Sequence, residues 1–241
     1  MTAPGIRLLF DGEQRLTVSP AWLIPSDDFR RVRLASGLTA ALDIWDGATW
    51  QATDVVARRT PSGVVAYPGL GFRPWPFEPQ PQLYRCRLAA PGRYPLVLTQ
   101  NGEFQSDLVG AEFLAYPHDH DHPPELSAVP LVVPLLPGPA YPFPPGTRVV
   151  RGLVQDEATR RPIPNALVRA VGLTHPDAVP WTERALSGPG GAFALALRFQ
   201  GVAGLGGEEF HLTATDSPLR SGAVDISLSN RPPDPVLIEI S

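Results

Sequence analysis

Proline is the residue that most constrains this chain, occupying 30 of its 241 positions and scattered from Pro4 to Pro235. Each proline fixes φ at about −65°, removes a main-chain donor and breaks any helix whose interior it enters. The 22 glycines add sharp turns. Such a chain has no room for long helices, so its regular structure must be short strands. Period-two alternation shows where several of them run. Phe193, Leu195, Leu197 and Phe199 alternate with Ala192, Ala194, Ala196 and Arg198, and Phe210, Leu212 and Ala214 with Glu209, His211 and Thr213. Val224, Ile226 and Leu228 oppose Asp225, Ser227 and Ser229, while Val236, Ile238 and Ile240 predict a final strand tied into a sheet. The expected class is all-β: two β-sandwich domains joined by a proline-rich, partly docked connector.

The clearest strand-turn-strand unit spans residues 147–171, TRVVRGLVQDEATRRPIPNALVRAV. Val150, Gly152 and Val154 alternate with Val149, Arg151 and Leu153, as in a strand packed within a sandwich. Asp156 can accept hydrogen bonds from the backbone that follows it, and residues 159–164 (TRRPIP) cannot continue a ladder, so the chain turns. Ala166, Val168 and Ala170 then share one face, small enough for close approach of a facing sheet. Gly152-x-Val154-x-Asp156, then Pro162-Ile163-x-Asn165-Ala166-x-Val168, then Gly188-Pro189-Gly190-Gly191 before Phe193 and Leu195, resembles the carboxypeptidase regulatory-like domain. The resemblance covers residues 147–241. It implies a transthyretin-like β-sandwich of about seven strands, an accessory module without chemistry of its own.

Residues 1–116 read as a first, β-sandwich-like domain. Its strand candidates are 6–10, 30–34, 38–44, 50–56, 64–67, 82–88 and 94–99, with 19–28 (SPAWLIPSDD) read as a turn and Ala89-Ala90-Pro91-Gly92 as a hairpin signal. Residues 72–81 (FRPWPFEPQP) carry prolines at nearly every second position and must form an extended loop, bearing Phe72, Trp75 and Phe77. Two readings stand open for it: an exposed aromatic surface for a protein partner or a sugar ring, or a loop that folds back and plugs the end of the sandwich. Residues 117–146 are the proline-rich connector. Its apolar run 128–137 predicts partial docking, as an edge strand bridging the domains, and Tyr141 and Phe143 lead into the second domain.

A formal net charge of −4 gives no footprint for nucleic acid or an anionic membrane. No lysine occurs anywhere, which excludes a phosphate-loop lysine, a Schiff base and the Lys-Asn isopeptide crosslink of pilin and adhesin sandwiches. Cys86 is the only cysteine, so no intrachain disulfide can form, and it shares a face with Tyr84 and Leu88 as a small buried hydrophobe. The apolar run 6–10 is too brief for an export signal, so a cytoplasmic location is expected.

The sharpest chemical candidate is His118-Asp119-His120-Asp121-His122. In an extended chain, residues two apart project to one side about 6.6 Å apart, so His118, His120 and His122 could share a zinc or nickel ion, while a solvated connection is the plainer reading. Enzymes that share the transthyretin-like fold are poor matches. An intradiol dioxygenase needs two tyrosines and two histidines within and after the strand-turn-strand pattern, where this chain has only His175 and His211. A hydroxyisourate hydrolase ends in Tyr-Arg-Gly-Ser, where this chain ends Leu237-Ile238-Glu239-Ile240-Ser241. There is no nucleophile elbow, and the glycine-rich run 201–207 precedes a strand where a phosphate cradle needs a helix.

The expectation is a protein that is not an enzyme and needs no cofactor. It would be a structural or adaptor module whose partners are protein subunits of a large assembly, such as a phage tail or a phage-tail-like contractile injection particle. Phe72, Trp75, Phe77, Tyr141 and Phe143 are the expected partner-binding residues. The alternatives are a ligand-binding accessory module using the exposed aromatics, for carbohydrate or protein, and a metal-binding protein using the histidine run.

Overall fold

A computed structural model describes residues 18–99, 101–124, 130–174, 178–199, 208–227 and 235–241. The expected strand 6–10, the turn 201–207, His175 and the Leu228 end of its alternation lie outside these residues. Their regular structure is entirely β, and no helix among them is long and apolar enough to cross a membrane. The first ten strands are β1 (Trp22–Asp27), β2 (Val32–Arg33), β3 (Thr39–Trp45), β4 (Trp50–Ala52), β5 (Arg58–Arg59), β6 (Val65–Ala66), β7 (Gln82–Ala89), β8 (Arg93–Pro95), β9 (Ala111–Ala115) and β10 (Leu131–Pro137). The remainder are β11 (Val149–Asp156), β12 (Leu167–Thr174), β13 (Val179–Leu186), β14 (Ala192–Ala196), β15 (Glu209–Ser217), β16 (Arg220–Ser227) and β17 (Val236–Ile240).

In the C-terminal part, a three-stranded sheet β14-β11-β17 faces a four-stranded sheet β13-β12-β15-β16. The alternation read from the sequence decides which side chains meet between them. Phe193, Leu195, Phe210, Leu212, Ala214, Val236, Ile238 and Ile240 are all buried in one core with Val150, Val154, Val168 and Ala170. The turn after β11 is built as its residues require: Asp156 Oδ1 accepts the Thr159 amide at 2.7 Å, and Arg160 and Asn165 adopt positive φ. Phe199, by contrast, lies beyond β14 and is exposed.

In the N-terminal part, the sheet β5-β6-β1-β10-β8, with β2 attached to β1, packs against the sheet β4-β3-β7-β9. Leu23, Leu42, Tyr67, Cys86, Val133 and Leu135 form its core. Two expectations are corrected here. Residues 19–28 are not a turn, because 22–27 form β1, flanked by β6 and β2 on one side and β10 on the other. Pro25 is tolerated because its carbonyl still accepts the Leu34 amide at 2.9 Å, so only its missing donor is lost. The apolar run before Pro137 is, among the described residues, an edge only in its first half: β10 runs parallel to β1 from Leu131, and from Leu135 to Pro137 it also pairs antiparallel with β8, inside the sheet.

The two parts meet across a third apolar cluster, Leu96 and Leu136 from one side and Leu167 and Leu186 from the other. Beside it Asp28, 6% exposed, accepts from Arg184 of β13 at 2.5 and 3.2 Å and from Arg31 at 3.0 Å. Asn165 Nδ2 reaches the Ser106 carbonyl at 3.3 Å, and the Ser106 amide donates to the Asp216 carbonyl at 2.8 Å. Apolar contact and polar bonds therefore both cross the junction.

Candidate functional site

The backbone brings together two segments that stand more than forty residues apart. Gly71 has a φ of +91°, and a Cβ there would come within 2.5 Å of the Tyr116 carbonyl oxygen, so only glycine lets the two chains lie this close. The His118 amide donates to the Gly71 carbonyl at 3.1 Å and the Arg73 amide to the His118 carbonyl at 2.9 Å, pairing Phe72 with His118 in a parallel bridge. The loops that follow β6 and β9 are thereby tied to each other at the main chain.

Onto this frame the rings are laid. Phe72 contacts His118 edge-on at 6.0 Å and His120 at 4.9 Å. Trp75 stacks on His122 with ring centres 4.1 Å apart and planes 14° from parallel, and Phe77 meets the indole edge-on at 5.1 Å. His122 is held from below: Asp119 Oδ1 accepts its ring Nδ1–H at 2.8 Å, its amide at 2.7 Å and the Asp121 amide at 2.9 Å. Burial pushes the Asp119 carboxyl up, but the His122 and Asp121 donors outweigh it and hold it below the usual carboxylate range.

Trp75 is 59% exposed and Phe72 46% exposed, and Phe77 is half-buried. The loop is therefore an exposed aromatic surface. The histidines expected to share a metal are separated by the same geometry. Asp119 bends the chain and breaks the period of two. His118 turns inward, 4% exposed, with Nδ1 3.0 Å from the Tyr116 carbonyl, while His122 faces Trp75. Among the described residues no group of three or more histidine, cysteine, aspartate or glutamate side chains converges to hold a metal.

Tyr141 and Phe143 do not join this surface. Tyr141 is 5% exposed; its hydroxyl donates to the Asp27 carboxylate, 2.8 and 2.9 Å from its oxygens, and its ring packs on Phe29 and Phe143. It was expected among the partner-binding aromatics, whereas a buried aspartate draws it in. Burial and then the neighbouring carboxylate push the Tyr141 hydroxyl up to about 12. Asp27 itself is 1% exposed, and burial raises its carboxyl. The Arg30 amide, Arg93 at 2.8 Å and Tyr141 more than offset this, holding it low. Sequence reasoning missed the Asp27, Asp28, Arg93 and Arg184 network; its one signal was two adjacent aspartates in a stretch read as a turn.

Fold and site together define an all-β protein of β-sandwich layers with a preorganised ring cluster on two of its loops. No protein-family model matches the chain, and no curated protein does. Among solved structures it is similar to a streptococcal ancillary pilin at 14% identity and a TM-score of 0.28, covering 91% of this chain and 61% of the pilin. It is similar to the Bacillus anthracis TIE protein at 10% identity and a TM-score of 0.27, covering 92% of this chain and 33% of that one. It is also similar to the shaft pilin SpaA of Lactobacillus rhamnosus GG, in a double-mutant form, at 12% identity and a TM-score of 0.25, covering 92% and 96%. The chain thus spans under two thirds of the length of the first two. Likenesses with TM-scores this low carry no argument about function.

Proposed function

We propose that this protein is a non-catalytic structural or adaptor module that binds other protein subunits through the ring cluster of Phe72, Trp75 and Phe77. The observation that carries this reading is the exposure of Trp75 on a rigid support. An indole already stacked on His122 and framed by main-chain bonds loses little freedom on binding, and large aromatics of this kind dominate protein interfaces. The C-terminal sandwich, in its resemblance to the carboxypeptidase regulatory-like domain, suits an accessory role beside that surface. The setting we favour is a large cytoplasmically assembled particle, such as a phage tail or a phage-tail-like contractile injection particle. Native pull-downs with wild-type protein and with Trp75→Ala test it. Subunits of one particle should copurify with the wild type and be lost with the variant. A wild-type protein that stays monomeric and retains no partner would refute the reading.

A second reading is favoured by one detail. His122 covers a single face of Trp75, and an open indole face can stack on a sugar ring. Glycan-array binding that disappears in Trp75→Ala would support carbohydrate as the ligand, and a blank array would remove it.

A further inference from the structure

A second feature, apart from the ring cluster, has the geometry of a binding site. Along β10, residues Leu135, Leu136 and Pro137 pair with β8, and the Leu96 amide donates to the Pro134 carbonyl at 2.8 Å. From Leu131 to Val133, however, β10 has a strand partner only on its β1 side among the described residues. Opposite, β9 pairs with β7 alone among the described residues. Between these two edges, among the described residues, the first sandwich stands open. The opening is a cleft of about 460 Å³ walled by Leu96, Val97, Leu98, Ala111, Leu131 and Val133, within the ~300–1,000 Å³ range of sites that hold a discrete ligand. Its mouth exposes Leu131 (46%) and Val132 (56%).

The walls state what would fit. About 10 Å of unpaired strand edge asks for main-chain donors and acceptors in extended spacing. The apolar lining asks for apolar side chains at alternate positions. Charge in the lining is sparse and one-sided: Arg184 is committed to Asp28 at 2.5 and 3.2 Å, which leaves the exposed Glu112 carboxylate as the other ionisable lining residue. An acidic segment would meet the Glu112 carboxylate and find no free cation inside. The cleft is also continuous with the junction between the two parts, since Leu96 belongs to both.

We propose that this cleft receives an extended, apolar and non-acidic strand of a partner protein, which adds to the free edge of β10 over Leu131–Val133 and closes the first sandwich. The site is independent of the ring cluster. The test titrates a capped Thr-Val-Thr-Val-Thr-Val peptide into isotope-labelled full-length protein. Saturable amide shifts should appear at residues 131–133 and 110–112, and slower hydrogen exchange should follow at 131–133. Leu131→Glu should weaken binding about tenfold or more by placing a charge in the mouth. Leu219→Glu, at a fully exposed turn, should leave it unchanged. No saturable shift, or binding indifferent to Leu131→Glu, would overturn the proposal. So would displacement shifts at residues 6–10, which would mean that the chain's own N-terminal segment is the occupant.

Discussion

Asp27 shows how much one side chain can fix. It is buried, yet it stays ionised because Arg30, Arg93 and Tyr141 all donate to it. Its folded pKa lies below the unfolded value of about 3.9. Its contribution is therefore complete above that pH and fades as pH falls through the folded value. Asp27→Asn should lower stability at pH 7 by about 3 kcal/mol, because Arg93 loses its buried counter-charge. The gap from wild type should narrow at pH 3, and urea denaturation at both pH values checks it. A gap of equal size at the two would mean that ionisation is not what Asp27 supplies. None of this was legible from composition. Cys86 was: its place between Tyr84 and Leu88 predicted burial, and the thiol sits in the core, accepting the Tyr67 hydroxyl at 3.1 Å. Burial pushes it up to about 11, leaving it protonated at neutral pH.

At the scale of elements, two glycines mark where backbones approach most closely. Gly152 lies in β11 between β14 and β17, and a Cβ there would fall 2.1 Å from the Val236 carbonyl oxygen and 2.5 Å from the Phe193 ring. Gly152→Ala should cost about 3 kcal/mol or more, since neither backbone nor core aromatic can withdraw; a thermal midpoint unchanged from wild type would sink this. Gly71→Ala acts differently. It should part the loops after β6 and β9 while leaving both cores folded, so Trp75 would lose its place on His122. The expected signature is a changed indole fluorescence and weaker partner capture with little change in global stability. β11, β15 and β17 were readable because burial alternates along them residue by residue, and β14, buried on both faces, because large side chains alternate with alanines. β1 was not, since Pro20 and Pro25 signal a turn, and only the partners on either side show that the missing donor is harmless. The ring cluster was half legible: both segments stood out by composition, but their meeting depends on a non-local bridge between Phe72 and His118.

The whole molecule is held at its junction by an apolar cluster and by Asp28. Arg184→Ala removes two bonds to that buried carboxylate and leaves Arg31 as its remaining ionic partner. The expected loss is about 2 kcal/mol, with faster hydrogen exchange at Leu167 and Leu186 than in the wild type. Exchange unchanged there would show that the apolar cluster alone sets the junction. By itself the sequence determined the all-β class, the C-terminal strand pattern, the turn after β11 and the chemistry the chain cannot do for want of lysine and a second cysteine. Those follow from local rules, because proline, glycine and alternation act within a few residues. Only the tertiary structure decided that Tyr141 is buried, that the histidines face aromatic rings instead of one another, that the second half of β10 lies inside a sheet and that, among the described residues, its first half borders an open cleft. Each of these depends on which distant backbone lies alongside, and no local pattern encodes that.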